Sequence, residues 1–287
     1  MKIFKITSLL FIALALFNCS SDNSSQGNQN IIDENYCKLY KIDTNLGGSS
    51  RSFLFDYTTP NEIHIEGLPS FYEQIKIILK FENQILKEKQ KLTKNDNDDF
   101  VLSTRTTYTS NNSKITNAQF YNYHDDETFV LEKTFVYTYD LEGRIVSESI
   151  DNYLNEEIMY EVINIFEWTA NNITKISTSE ILHNELILPD FDSIITIIEY
   201  DLNNQNLLNK AVPYAMFFMN DLYHCYHEKF EYMSNNPIRT IHSTTIYNNQ
   251  ISEESSYELN YTYDNTGYFK SLEGWCLKSN FYWNCNN

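Results

Sequence analysis

The chain has 287 residues with 22 Tyr and 18 Phe but only 7 Gly and 5 Pro, so it can bury a sizeable core and is neither linker-like nor collagen-like. Its formal charge of −18 repels phosphate backbones, which excludes nucleic acid as an expected partner. The aromatic residues stand beside Ile and Thr in short runs, a composition that favours strands.

At the N-terminus, Lys2 and Lys5 precede an apolar run from Ile6 to Phe17. That run is too short to cross a bilayer and suits the hydrophobic region of a signal peptide. Cys19, followed by Ser20-Ser21-Asp22-Asn23-Ser24-Ser25, resembles a bacterial lipoprotein signal of the permissive Bacteroidota type. Leu16-Phe17-Asn18 departs from the small residues that usually precede such a cysteine. The resemblance implies loss of residues 1–18, acylation of Cys19 and a membrane partner reached through that lipid. The implied address is the cell envelope, with the outer membrane foremost, and Ser20-Ser21-Asp22 is a weak form of the acidic tract that sends such proteins to the cell surface. Residues 19–35 read as lipidated Cys plus flexible tether, and the polar stretch Ser20–Asn30 would reach about 18 Å.

From residue 36 onward the chain reads as one repeat domain. Tyr108, Tyr139, Trp168, Tyr200, Tyr232 and Tyr263 are spaced 31, 29, 32, 32 and 31 residues apart, and each is followed four residues later by Asn or Gly. Asn and Gly best tolerate the left-handed region, so each anchor predicts a strand followed by a tight turn. Side chains alternate before the anchors, as in Val162/Phe166/Trp168 and Tyr257/Leu259/Tyr261/Tyr263, the pattern of half-buried strands. Tyr57–Asn61 fits as an earlier unit, and Phe81-Glu82-Asn83-Gln84-Ile85 as one with a shorter turn. Phe71, Ile75, Ile78, Ile85 and Leu92 also fall near helical spacing, but the β-branched Ile75–Ile78 run favours strands over 71–92. The apolar stretch Leu207–Met219 around Pro213 predicts a short helix or loop near 205–220, covering a sheet edge or face.

The most regular unit, Phe135-Val136-Tyr137-Thr138-Tyr139-Asp140-Leu141-Glu142-Gly143-Arg144-Ile145, resembles the YD (Rhs-type) repeat, and Tyr261-Thr262-Tyr263-Asp264-Asn265-Thr266-Gly267 repeats it without the Arg. The whole chain is similar to uncharacterised Bacteroidota lipoproteins built of degenerate YD-like hairpins. The resemblance covers roughly residues 50–275 and brings no established chemistry. The expected fold is therefore all-β: antiparallel hairpin repeats, seven or eight of them, in a long twisted sheet, open or partly closed.

With Cys19 lipidated, Cys37, Cys225, Cys276 and Cys285 remain for an oxidising compartment. Cys276 and Cys285 flank an expected last hairpin turning near Asn280, which favours their pairing and leaves Cys37–Cys225 by elimination, with free buried thiols as the competing reading. His224 and His227 would point to opposite faces of a strand with no second ligand pair at zinc spacing. Asp96-Asn97-Asp98-Asp99 lacks the Gly and closing Glu of a calcium loop. No metal or cofactor is expected, and the nucleophile-elbow, phosphate-loop, dinucleotide and zincin motifs are all absent.

Tyr121, Tyr123, Tyr137, Tyr139, Tyr261 and Tyr263 would form aromatic ladders, which either stack on sugars or hold the sheet together. The expected function is non-catalytic binding of a glycan or an envelope protein by a lipid-anchored domain. The alternatives are a structural or accessory subunit of an envelope complex and, with no motif in its favour, a hydrolase.

Overall fold

The computed structural model describes residues 36–46, 49–68, 74–124, 128–183, 191–212, 214–217, 233–274 and 277–285. The expected signal peptide, the expected tether with Cys19, and Phe71, His224, Cys225, His227, Tyr232 and Cys276 lie outside the described residues. Seventeen strands form one sheet. The first nine are β1 (Lys38–Leu46), β2 (Ser49–Asp56), β3 (Glu62–Gly67), β4 (Ile75–Glu82), β5 (Ile85–Lys94), β6 (Phe100–Asn111), β7 (Lys114–Tyr123), β8 (Phe129–Tyr139) and β9 (Ile145–Leu154). Then follow β10 (Glu157–Thr169), β11 (Asn172–Leu182), β12 (Ser193–Tyr200), β13 (Ile238–Tyr247), β14 (Gln250–Glu258), β15 (Asn260–Tyr263), β16 (Phe269–Glu273) and β17 (Leu277–Asn284). Between β12 and β13 lie a single helical turn, α1 (Leu208–Ala211), and a 3-10 turn at Ala215–Phe217.

The sheet is neither open nor loosely curved, because β1 pairs antiparallel with both β2 and β17 and so makes a nearly closed barrel. Each strand otherwise pairs antiparallel with its chain neighbours, except that no ladder joins β14 to β15 among the described residues. Alternating directions explain the exception. Counted from β1 either way round, β14 and β15 point the same way, and only Leu259 separates them. They are two halves of one strand: the first half pairs with β13, the second with β16, and the barrel closes by changing partner at Leu259.

Residues 75–82 and 85–94 are strands, with Asn83 and Gln84 both at positive φ in a two-residue turn. The Asn/Gly rule for the turns holds at Asn61, Asn112, Gly143 and Gly267. In the Trp168 unit it is Ala170, not Asn172, that takes the positive φ, and Asn204 and Asn236 do not take it either. Asp140 shows what Asp-x-x-Gly does locally. Its Oδ1 accepts from Arg144 N at 2.8 Å, its carbonyl accepts from Gly143 N at 3.1 Å, and its Oδ2 accepts from Arg144 Nε at 2.7 Å. Asp264 repeats the turn, accepting from Gly267 N and Tyr268 N.

The repeat has a physical cause. The β7–β8 ladder ends at Asn117–Val136; Ile115 lies two residues before that pair and Tyr139 three after it, and the Tyr139 hydroxyl donates to Ile115 O at 2.6 Å. The same offsets bring Trp168 Nε1 to Ile145 O at 2.8 Å, Tyr200 Oη to Ile173 O at 2.6 Å, Trp283 Nε1 to Phe269 O at 2.7 Å and Tyr57 Oη to Leu39 O at 2.7 Å. At one rim of the barrel, therefore, an aromatic side chain supplies the hydrogen bond where the backbone ladder stops. Tyr108 does not follow this rule; its ring packs on Phe217 instead.

A ring of this many strands is wider than its own side chains can fill. The β12–β13 connection fills it. Phe217 meets Tyr108 and Tyr137 edge-on, both at 5.5 Å; Tyr214 packs on Phe81 at 6.0 Å; and Asn235 N donates to Asn171 O at 3.1 Å. Strands so far apart round the ring can share one segment only from inside. The expected cover over an edge or face is therefore a plug in the lumen. Leu208, Ala211, Val212 and Ala215 are buried there, with the inward Phe53, Ile63, Ile65, Ile77, Leu79, Ile145 and Ile173.

The disulfide expectation needs correcting. Cys285 pairs with Cys37, Cα–Cα 4.3 Å, across 248 residues of sequence. Asn280 is no turn but lies within β17, and Cys276 lies outside the described residues. Cys37 and Cys285 flank the end pair Lys38–Asn284 of the β1–β17 ladder, which puts them side by side. The Cys37–Cys225 pairing falls with it.

Candidate functional site

The change of partner at Leu259 leaves a hole in the wall. Leu259 N donates to Arg239 O at 2.8 Å, and below that bond β13 and β15 part. Between them lies a cavity of about 530 Å³ lined by Tyr200, Asp201, Leu202, Asn203, Arg239, Leu259, Asn260, Tyr261 and Tyr263. Tyr261 and Tyr263 belong to the inner face, packing on Phe269 at 4.9 and 5.6 Å, while Arg239 and Asn260 are exposed on the outer one. Residues of both faces line this single cavity, the window, at the gap where the strand changes partner.

The turn after β12 frames its far side. Asp201 accepts from Asn203 N at 3.0 Å and from Asn204 Nδ2 at 2.6 Å, and these bonds hold its carboxyl below the ordinary carboxylate range, with a small contribution from Arg239. Gly274 lets the strand change partner at close quarters: a Cβ there would lie 2.5 Å from Leu259 Cδ2. The window's size falls within the usual range for small-molecule sites, and two aromatic rings beside hydrogen-bonding Asn and Arg groups suit a polar, ring-shaped ligand.

The tyrosines singled out in the sequence do not form one platform. Tyr261 and Tyr263 meet in the window. Tyr139 lines a second cavity of about 350 Å³ at the rim, where Lys114 sits 5.2 Å above its ring and Arg144 lies 5.5 Å above that of Trp168. Those cations cover faces that a sugar would need, and burial pushes the Tyr139 hydroxyl up to about 12. Tyr137 is buried beside a third cavity of about 160 Å³ inside the barrel, with Lys89, Thr106, Glu148 and Phe217. Burial holds its hydroxyl well above the ordinary phenol range, and the Glu148 carboxylate bonded to it adds to the effect. Glu148 also accepts from Asn164 Nδ2 at 2.9 Å, and Asn164 Oδ1 accepts from Thr178 at 2.7 Å, a polar belt across β8 to β11. Tyr121 and Tyr123 stand elsewhere on β7: the Tyr121 hydroxyl donates to Gln119 at 3.1 Å, and Tyr123 packs on Phe129 at 5.1 Å.

Sequence reasoning missed Tyr200 as a wall and Asp201, Arg239 and Asn260 altogether. No local signal could have found them, since the window exists only where the barrel closes. Among the described residues, no group of His, Cys, Asp and Glu is placed to hold a metal ion. Asp98 Oδ1 instead accepts from Lys94 Nζ at 2.7 Å.

No family model and no curated protein matches the chain. Among solved structures it is similar to a porin-like protein from Bacteroides uniformis, at 11% identity and TM-score 0.47 over 85% of this chain and 97% of that one. A porin-like protein from Bacteroides vulgatus matches at 10% identity and TM-score 0.41, over 87% and 99%. The chain closes into a nearly complete barrel through the β1–β17 ladder rather than forming an array of YD-type hairpins, and the resemblance drawn from the sequence is corrected accordingly. The Asp-x-x-Gly-Arg run is turn chemistry within a nearly closed barrel.

Proposed function

We propose that the mature protein is a lipid-tethered cell-envelope barrel that binds a glycan at the window without altering it chemically. The observation that carries this reading is the cavity at the barrel's change of partner, which Tyr261 and Tyr263 line together with Asn203, Asn260 and Arg239. Sugars present apolar ring faces and a rim of hydroxyls, and such a site offers rings to the first and donors and acceptors to the second. The lipoprotein-like signal at Cys19 supports the envelope address and a membrane contact made through lipid.

The test is calorimetric titration of the full chain in mild detergent with a panel of envelope and plant oligosaccharides. Binding of one glycan class, weakened at least about tenfold by Tyr261→Ala with the melting temperature of the protein preserved, is the expected result. Unchanged affinity in Tyr261→Ala and Tyr263→Ala, or no binding across an adequately dosed panel, would sink the reading.

A further inference from the structure

We infer that the window selects an acidic glycan and that Arg239 takes the carboxylate of a uronic-acid-type sugar; this rests on the glycan reading above. The chain has four arginines. Arg105 is held by Glu88, with Nε–Oε2 2.8 Å. Arg144 is held by Asp140 and by the carbonyl of Ala170. Arg51 also has a partner. Arg239 has neither a side-chain hydrogen bond nor an ion pair among the described residues, and it lies at the window mouth.

The acidic residue that lines the same cavity is Asp201. That carboxylate is already engaged by Asn203 N and Asn204 Nδ2, and it feels Arg239 only at longer range. Among the described residues, therefore, no group occupies the Arg239 fork, whose donors suit a group arriving from solvent. A guanidinium matches a carboxylate through two parallel N–H···O bonds, which a neutral hydroxyl cannot reproduce. The rest of the chain sharpens the choice. At a net charge of −18 the protein repels anions in general, so an acidic ligand is admitted where a cation is presented and not elsewhere. The ring positions agree with this placement. Tyr261 and Arg239 line the same cavity.

The experiment compares an oligogalacturonide with a neutral galacto-oligosaccharide of the same length by calorimetry on the full chain. Wild type is expected to bind the acidic sugar at least about tenfold tighter, with the preference shrinking as salt is raised. Arg239→Gln, an exposed change checked by its melting temperature, should bring the two affinities together, and Arg239→Lys should restore only part of the difference. Tyr261→Ala should weaken both ligands alike. Equal wild-type affinities, or a preference that survives in Arg239→Gln, overturns the acidic-sugar inference while leaving the glycan reading standing. Failure of both sugars to bind overturns both.

Discussion

Tyr139 donates its hydroxyl hydrogen to the carbonyl of Ile115, 2.6 Å away, two residues before the β7–β8 ladder begins. Four more aromatic side chains at the same rim, Tyr57, Trp168, Tyr200 and Trp283, repeat this relationship at the same offsets, and in each a side chain replaces the ladder bond that the diverging backbones no longer make. Ile115, Ile145 and Ile173 are buried, so a carbonyl deprived of its donor there has no easy route to water. Tyr139→Phe removes the donor and keeps the ring, and is expected to cost about 1–3 kcal/mol. Denaturant unfolding of Tyr139→Phe and Tyr57→Phe would show it as a lowered midpoint. Leu141→Ser, at a fully exposed turn position, should leave the midpoint unchanged.

The Cys37–Cys285 bridge ties the first strand to the last, at the one ladder that joins the chain ends. It closes a loop of nearly the whole domain, and its loss is expected to cost about 2–5 kcal/mol. Proteolysis under non-reducing conditions should yield a peptide pair linking Cys37 to Cys285. A digest in which Cys285 is linked to another cysteine would contradict the pairing of Cys37 and Cys285 beside the end of the β1–β17 ladder.

Much of this architecture was legible in the sequence, and the limits are physical. The period of about 31 residues is one hairpin, and the anchors Tyr139, Trp168 and Tyr200 are visible because each must supply a donor at a fixed offset from a turn. Their partners are not visible, since Ile115, Ile145 and Ile173 give a backbone carbonyl that any residue could provide. Barrel closure was illegible for a related reason. The β1–β17 ladder joins Lys38 to Asn284, and no local pattern distinguishes a strand that pairs across the whole chain from one that pairs with its neighbour. The Asp140–Arg144 turn misled in the opposite direction: its residues are demanded by local turn chemistry, which unrelated folds share.

Phe217 anchors the plug, touching Tyr108, Tyr137 and Tyr214 while its carbonyl accepts from Lys89 Nζ at 3.3 Å. Phe217→Ala leaves a void among these rings and is expected to cost about 3 kcal/mol. The plug should loosen before the wall does. Hydrogen exchange would then rise first across Leu208–Phe217, while the β6–β9 amides stay protected; simultaneous loss of both would mean that wall and plug unfold as one unit.

Acid should act through the turns and the wall pairs. Burial raises the Glu88 carboxyl, but hydrogen bonds from Lys80 and Arg105 outweigh it and hold the group below its ordinary value. In Asp140 the bonds from Arg144 outweigh burial in the same way. A depressed folded value means that the stabilisation is complete above the unfolded pKa, about 4, and is lost as pH falls through the lower folded values. Stability should hold at neutral pH and drop below about pH 4. Glu88→Gln should flatten that drop in melting curves taken between pH 2 and 5, and an unaltered acid slope would remove Glu88 from the account.

The outer wall bears on whether the barrel sits in lipid or in water. Lys80, Glu88 and Arg105 pair across β4, β5 and β6; Lys41 meets Asp43 on β1; and Lys175 meets Glu167 across β10 and β11. Thr138–Ser147 and Thr262–Ser271 hydroxyl pairs add to this polar surface, which alternates with exposed apolar side chains such as Leu54, Val136, Ile165 and Ile197. The apolar Phe53, Ile63, Ile77 and Ile173 face inward instead, against the plugged lumen. A membrane-spanning barrel needs the reverse alternation, and each Lys or Arg set at mid-bilayer would cost about 2–4 kcal/mol. The wall is therefore expected to face water, with lipid reached only through Cys19. Once the anchor is removed, the protein should sediment as a dispersed species without detergent and give no conductance in a planar bilayer. A requirement for detergent, or stepwise conductance, would show that this wall sits in lipid despite its charges.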